Sequence, residues 1–161
     1  MKKLYTLILV LLGLQIQAQT FVSTTTENKN VILEEFTGIY CQFCPDGHLI
    51  AQGLHDANPN DVFLINIHTG GYANPNGPSD PDFNSLFGSA IAGNSGLIGY
   101  PAGTVNRDII SYSLSPQGNP GTTALSRGDW ATEVDTVLSQ ASYVNVGVQA
   151  SYDMVTGILT V

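Results

Sequence analysis

The feature that most restricts this chain is a short apolar run that leads through a turn into two cysteines and then a helix. Val31 to Thr37 is rich in apolar and β-branched residues, with polar sequence before it and Gly38 after it, the signature of a buried strand. Cys41 follows after a turn. Pro45 suits the first turn of a helix, and Leu49, Ile50, Gly53 and Leu54 recur at helical spacing until Asn58-Pro59 ends the pattern. A second buried strand is predicted from Val62 to Ile67. Strand, helix and strand joined by short connections imply a right-handed crossover and a parallel pair.

Residues 69–82 are dense in Gly, Asn, Pro and Asp and read as a surface loop. Beyond it Phe83, Leu86, Phe87, Ala90 and Ile91 fall on one helical face, with Asp80 or Asp82 available to cap the start. This predicts an inserted helix. Thr104–Arg107 and Ile109–Leu114 read as short strands, and 130–140 as a helix turning Trp130, Val134, Val137 and Leu138 inward. The expected order is therefore β-α-β, insertion, β-β-α, an α/β domain. From Tyr143 the pattern becomes strict alternation at Val144, Val146 and Val148, then a turn near Asp153 to Gly157 and a second run, 158–161. A lone hairpin leaves unpaired edges, so residues 142–161 are expected to begin a longer β-rich domain.

At the other end Lys2 and Lys3, an apolar run from Leu4 to Leu14 and the small Ala18 resemble an export signal. The expected organisation is a signal peptide over 1–18, an α/β domain over 19–141 and the start of a β domain over 142–161. Nothing after residue 18 is apolar for long enough to span a membrane as a helix. The chain carries five Lys and Arg against thirteen Asp and Glu, and loss of Lys2 and Lys3 takes its formal charge from −8 to −10. Such a surface repels phosphate backbones, which argues against a nucleic-acid partner.

The chain has two cysteines, three positions apart. A disulfide between them closes too short a loop to brace a fold, so their interest is chemical. An exported protein meets an oxidising compartment, where Cys41 and Cys44 can rest as a disulfide. A Cys-x-x-Cys pair at a helix start after a buried strand is an arrangement that tunes a thiol, because the helix amides stabilise the thiolate of the first cysteine. Cys41 is then the attacking nucleophile. Cys44, less exposed, is the resolving thiol that displaces the bound partner.

The segment Leu33-Glu34-Glu35-Phe36-Thr37-Gly38-Ile39-Tyr40-Cys41-Gln42-Phe43-Cys44-Pro45 resembles the active-site strand and Cys-x-x-Cys of thioredoxin, with Tyr40 in place of the usual tryptophan. Gly99-Tyr100-Pro101 before Thr104-Val105-Asn106-Arg107 resembles that family's cis-proline loop, which sits against the two cysteines. The same two segments together are similar to the twenty-eight-kilodalton outer-membrane-protein-related family of Bacteroidetes, in which a thioredoxin-like domain follows an export signal. This resemblance covers most of residues 31–141. It implies a thioredoxin-like fold with a glutaredoxin-type minimal core, since twelve residues between Ala18 and Val31 leave no room for a further strand and helix. It implies thiol–disulfide exchange with proteins in the periplasm, outer membrane or cell surface, without a cofactor. Pro101 joins the cysteines as a site residue, and Tyr40, Gln42, Phe43 and Tyr100 are the candidate substrate contacts. Gln42-Phe43 replaces Gly-Pro, and Ala102 stands where thioredoxin has threonine, so a reduction potential does not carry over.

Glu35 lies six residues before Cys41, where thioredoxins carry a buried acid. A buried carboxylate has a raised pKa and can take the Cys44 proton during resolution. Period-two alternation turns only one of Glu34 and Glu35 inward. Thiolates with an imidazole from His48 or His68 also suit a soft metal; against this, a single histidine at a strand end or on a helix surface is usually solvated or hydrogen-bonded, and no metal is assigned. Asn74, Asn76, Asp80, Asp82 and Asn84 lack the ligand order of a calcium loop and read as a polar turn.

Overall fold

A computed structural model of the protein describes residues 22–109, 118–119 and 121–161. The expected export signal lies outside them. Two compact units are present, one of residues 28–141 and one in which 22–27 join 142–161.

The larger unit is built on β1 (Val31–Thr37), which pairs in parallel with β2 (Val62–His68) across the crossover helix α1 (Cys44–Ala57). On its other side β1 pairs antiparallel with β3 (Ala102–Val105), which pairs antiparallel with β4 (Leu125–Ser126), giving the order β2-β1-β3-β4. The inserted helix α2 (Gly88–Ser95) and the last helix α3 (Trp130–Leu138) complete the element order. The unit is closed where it begins and ends, by a bridge between Asn28 and Ala141 and by Lys29, whose backbone N–H donates to the Gln140 carbonyl at 2.9 Å.

Both faces of β1 are covered except at Ile32, which is exposed. On one, Val31 and Leu33 pack with Ala51 of α1, Val62, Val105, Leu125 and the α3 residues Trp130, Val134 and Val137. On the other, Phe36 packs with Ile67, Ala102 and Ala92 of α2. Two-sided cover explains why the alternation rule fails here: Glu34 and Glu35 point to opposite faces, and both are buried. On the α2 side Glu34 accepts from Thr104 Oγ1 at 2.9 Å and from Arg107 Nε at 2.7 Å, with a second bond from Arg107 Nη2. The guanidinium holds the Glu34 carboxyl below its ordinary range, against the opposing effect of burial.

Several elements differ from expectation. Cys44 is the first residue of α1, so Cys41 precedes the helix in a turn. Leu49 is exposed, the buried face of α1 being Cys44, Gly47 and Ala51. β2 is half-open, with Phe63 and Ile65 each 45% exposed, because α2 covers only the far end of that face. The inserted helix starts at Gly88, not Phe83: Asn84 makes a β-bridge to His68, Asp82 is used by Asn84, and Phe83, Leu86 and Phe87 face outward. β3 begins at Ala102 and ends before Asn106 and Arg107, whose φ values of 51° and 54° break the extended run. Ile109 lies in no strand and 110–114 lie outside the described residues; β3 is paired instead by the two-residue β4. In the smaller unit β5 (Ser151–Asp153) and β6 (Ile158–Thr160) form a hairpin. Its turn is held by Asp153, which accepts from the backbone N–H groups of Val155 and Thr156. The hairpin therefore begins later than the alternating valines, which lie in no strand.

The Glu34–Arg107 pair makes a prediction about acid stability. A carboxyl with a lowered folded pKa stabilises the fold above its unfolded value of 4.5 and loses that contribution as pH falls through the folded value. Arg107→Met, which keeps the stem and removes the fork, should lower stability at pH 7 by about 2 kcal/mol. The deficit should shrink on acidification as Glu34 becomes neutral. Urea unfolding of both proteins across pH 3–7 checks this.

Candidate functional site

The site begins where β1 ends. Gly38 leaves the strand and passes so close to the backbone of Tyr72 and Ala73 that a Cβ there would overlap it. The Tyr40 N–H then donates to the Tyr72 carbonyl at 3.0 Å. Two successive turns follow, Cys41 N–H to Gly38 O at 3.0 Å and Cys44 N–H to Cys41 O at 3.3 Å, and the second delivers the chain into α1. Cys41 and Cys44 form a disulfide, with Cα atoms 5.4 Å apart. Cys41 is 7% exposed and Cys44 1%.

Beside Cys41 runs a groove of 560 Å³ lined by Tyr40, Cys41, Gln42, Phe43, Tyr72, Ile98, Gly99 and Tyr100. The structure thus brings Tyr40, Gln42, Phe43 and Tyr100 to one surface with the first cysteine. Tyr72 and Ile98, which complete the walls, were not expected from sequence, because they arrive from the loop after β2 and the turn after α2. Tyr72 meets Tyr100 edge to face, centroids 5.6 Å apart. The Tyr40 hydroxyl donates to Asp80, which also accepts from the backbone N–H groups of Asn76 and Gly77 at 2.8 and 2.9 Å. That hydrogen bond raises the Tyr40 pKa and lowers that of Asp80. Asp80 is therefore a loop anchor on the turn that presents Cys41.

Two members of the site, Glu35 and Pro101, are buried. The Tyr100–Pro101 peptide is cis and Pro101 is buried. Gly47, one turn beyond Cys44, lets α1 close onto this layer: a Cβ at Gly47 would stand 2.7 Å from Glu35 Oε1 and 3.1 Å from the Pro101 ring. Glu35 is 1% exposed. Its Oε2 is 2.8 Å from His48 Nδ1, and the other ring nitrogen, Nε2, lies 3.4 Å from Thr37 Oγ1. Oε1 is buried without a hydrogen-bond partner. Burial raises the Glu35 pKa, and the charge and hydrogen bond of His48 oppose that rise.

The Glu35–His48 pair was missed by sequence reasoning, which treated His48 only as a metal candidate. The available signal was its spacing, since a residue four beyond Cys44 lies on the same helix face. His68 closes β2, stacks at a tilt against Phe83 with centroids 5.0 Å apart, and has its pKa lowered by burial. Among the described residues no group of three or more His, Cys, Asp and Glu is placed to hold a metal ion.

A parallel β-α-β unit, an antiparallel β3–β4 pair entered through a cis-proline, a closing helix and a Cys-x-x-Cys disulfide at the head of α1 define an α/β protein of thioredoxin-like fold. Two cysteines so placed can pass between disulfide and dithiol. No family model matches the chain, and none of the curated proteins compared with it matches either.

Glu35 also makes a prediction. A carboxyl whose folded pKa is raised leaves the fold undisturbed below its unfolded value of 4.5, and destabilises it increasingly as pH rises through the folded value. Glu35→Gln should therefore melt higher than the parent at pH 8, with the gap closing towards pH 4. Thermal melts across that range give the answer; an equal or lower Tm for the variant at pH 8 would contradict the account of this acid.

Proposed function

We propose that this chain is an exported thiol–disulfide oxidoreductase acting on envelope proteins, and that it is related to the outer-membrane-protein-associated thioredoxin-like family its motifs resemble. The observation that carries the reading is the asymmetry of the disulfide. Cys41, the less buried of the two residues, opens onto the groove, while Cys44 is covered at the first residue of α1. In the dithiol state the Cys41 thiolate attacks a partner disulfide, forming a mixed disulfide and releasing one partner thiolate. Cys44 then attacks Cys41 Sγ, reforming the internal disulfide and expelling the second partner thiolate. The partner gains two electrons and the Cys41–Cys44 pair loses two; the reverse sequence oxidises a partner. Lys2, Lys3, the run Leu4 to Leu14 and Ala18 support export. Among the described residues no helix is long and apolar enough to cross a membrane.

The low exposure of both cysteines favours a second reading, a binding module whose disulfide stays closed. Trapping separates the two. Cys44→Ser should accumulate mixed disulfides through Cys41 with proteins of an envelope extract, because the resolving thiol is missing, and Cys41→Ser should accumulate few. A disulfide that resists glutathione-range reductants, with no partner trapped by either variant, would select the binding module.

A further inference from the structure

The resolving step needs a base for the Cys44 proton, and the site supplies one buried carboxylate, Glu35, held by the ring of His48. Glu35 Oε1 and the Pro101 ring both lie against Gly47, in the first turn of the helix that Cys44 begins, leaving no room for a Cβ there. Oε1 is the oxygen without a hydrogen bond. Oε2 is held at 2.8 Å by a ring whose side chain is 40% exposed, so the pair bridges the interior and the surface.

Building on the exchange activity proposed above, we propose that His48 is the positioning residue for the proton step at Cys44. Its imidazole, held on Oε2, favours the ionised form of the Glu35 carboxylate against the effect of burial and leaves Oε1 free beside the first turn of α1. The Cys44 S–H proton passes to Oε1. The sulfur electron pair forms the bond to Cys41 Sγ, the bond between Cys41 and the partner breaks, and the partner leaves as a thiolate that takes its proton from solvent.

Without His48 this carboxylate would stand alone in a desolvated site, where the neutral acid is favoured and cannot accept a proton. The other ionisable groups around it do not substitute. From β2, His68 contributes a ring whose Nδ1 is buried without a hydrogen bond, and burial lowers its pKa, so it favours the neutral form. From β1, Glu34 faces the opposite side and is held by Arg107. From α1, Asp46 pairs with Arg127 at 2.5 Å on the outside. From α3, on the same face of the sheet, comes a further acid, the buried Glu133, and acids do not keep Glu35 ionised.

The test uses the reduced protein and an aryl disulfide that releases a coloured thiolate at each step, followed by stopped flow from pH 5 to 9. The first phase reports Cys41 attack and the second reports resolution by Cys44. His48→Gln keeps a hydrogen-bonding side chain without the ring. It should move the acid limb of the second phase to higher pH, by about one unit, so that the ratio of second-phase to first-phase rate falls about tenfold near pH 6. His48→Lys, cationic throughout, should keep that limb at or below its position in the parent. Opposite behaviour of the two variants supports the positioning role. An acid limb unmoved in both, or raised in both, overturns it, the latter being what mere disturbance of packing would produce. Should His48→Gln lose its native circular dichroism, the position of the limb in His48→Lys relative to the parent decides alone. If the parent itself shows no second phase, the exchange activity fails instead.

Discussion

The central constraint in the larger unit is a strand, β1, that is buried on both faces and carries two adjacent carboxylates. A buried charge must be paired or neutralised, so whatever surrounds Glu34 and Glu35 is fixed by that requirement. The two solutions differ. Glu34 receives a two-pronged guanidinium from Arg107 and the hydroxyl of Thr104, both supplied by β3 or the residues just after it. Glu35 receives one histidine nitrogen and keeps an oxygen unsatisfied. The positive φ values of Asn106 and Arg107 belong to the same solution. The chain turns there, Asn106 hydrogen-bonds the edge of β1 at Ile32, and Arg107 lies where its fork can reach Glu34.

The loop between β2 and α2 is the second organising element. A polar loop of this composition could be a simple surface excursion, yet it is tied twice to the turn that presents Cys41. Gly38 admits the backbone of Tyr72, and Asp80 accepts the Tyr40 hydroxyl while closing its own turn on Asn76 and Gly77. The groove walls thus come from residues about 30 to 60 positions beyond the cysteine they flank, and their sum is an aromatic surface next to one sulfur.

How much of this could be read from the sequence follows from the range of each signal. β1, α1, β2 and α3 carry apolar patterns long enough to identify, and they lie where expected to within a few residues. β4 is two residues long and has no period to detect; its pairing is fixed by β3 and by the ties from Thr123 and Ala124 to Ser95. The inserted helix was displaced because Phe83, Leu86 and Phe87 imitate a helical face while Asn84 is claimed by a bridge to His68. The site divides in the same way. Cys41, Cys44, Glu35 and Pro101 are local motifs and were legible as candidates, whereas Tyr72 and Ile98 reach the groove through tertiary structure alone. The burial of Glu34 was invisible because alternation says which way a side chain points and nothing about whether that side is covered.

The unequal treatment of the two acids is itself informative. Glu34 has its charge answered on both oxygens, the arrangement expected of a structural ion pair, and its ionised form is the stable one. Glu35 is more deeply buried, less well compensated and pushed towards the neutral form, with its free oxygen under the helix that carries Cys44. If packing were the only requirement, an apolar residue would serve better at that position, because a half-satisfied buried carboxylate is worse than none. An acid in so unfavourable a place is one whose proton can be moved by small changes around it. Strand β1 thus separates two settings of one residue type by a single step of the backbone: on one face a charge fixed by Arg107 and Thr104, on the other a carboxyl left half-satisfied beside the first turn of α1.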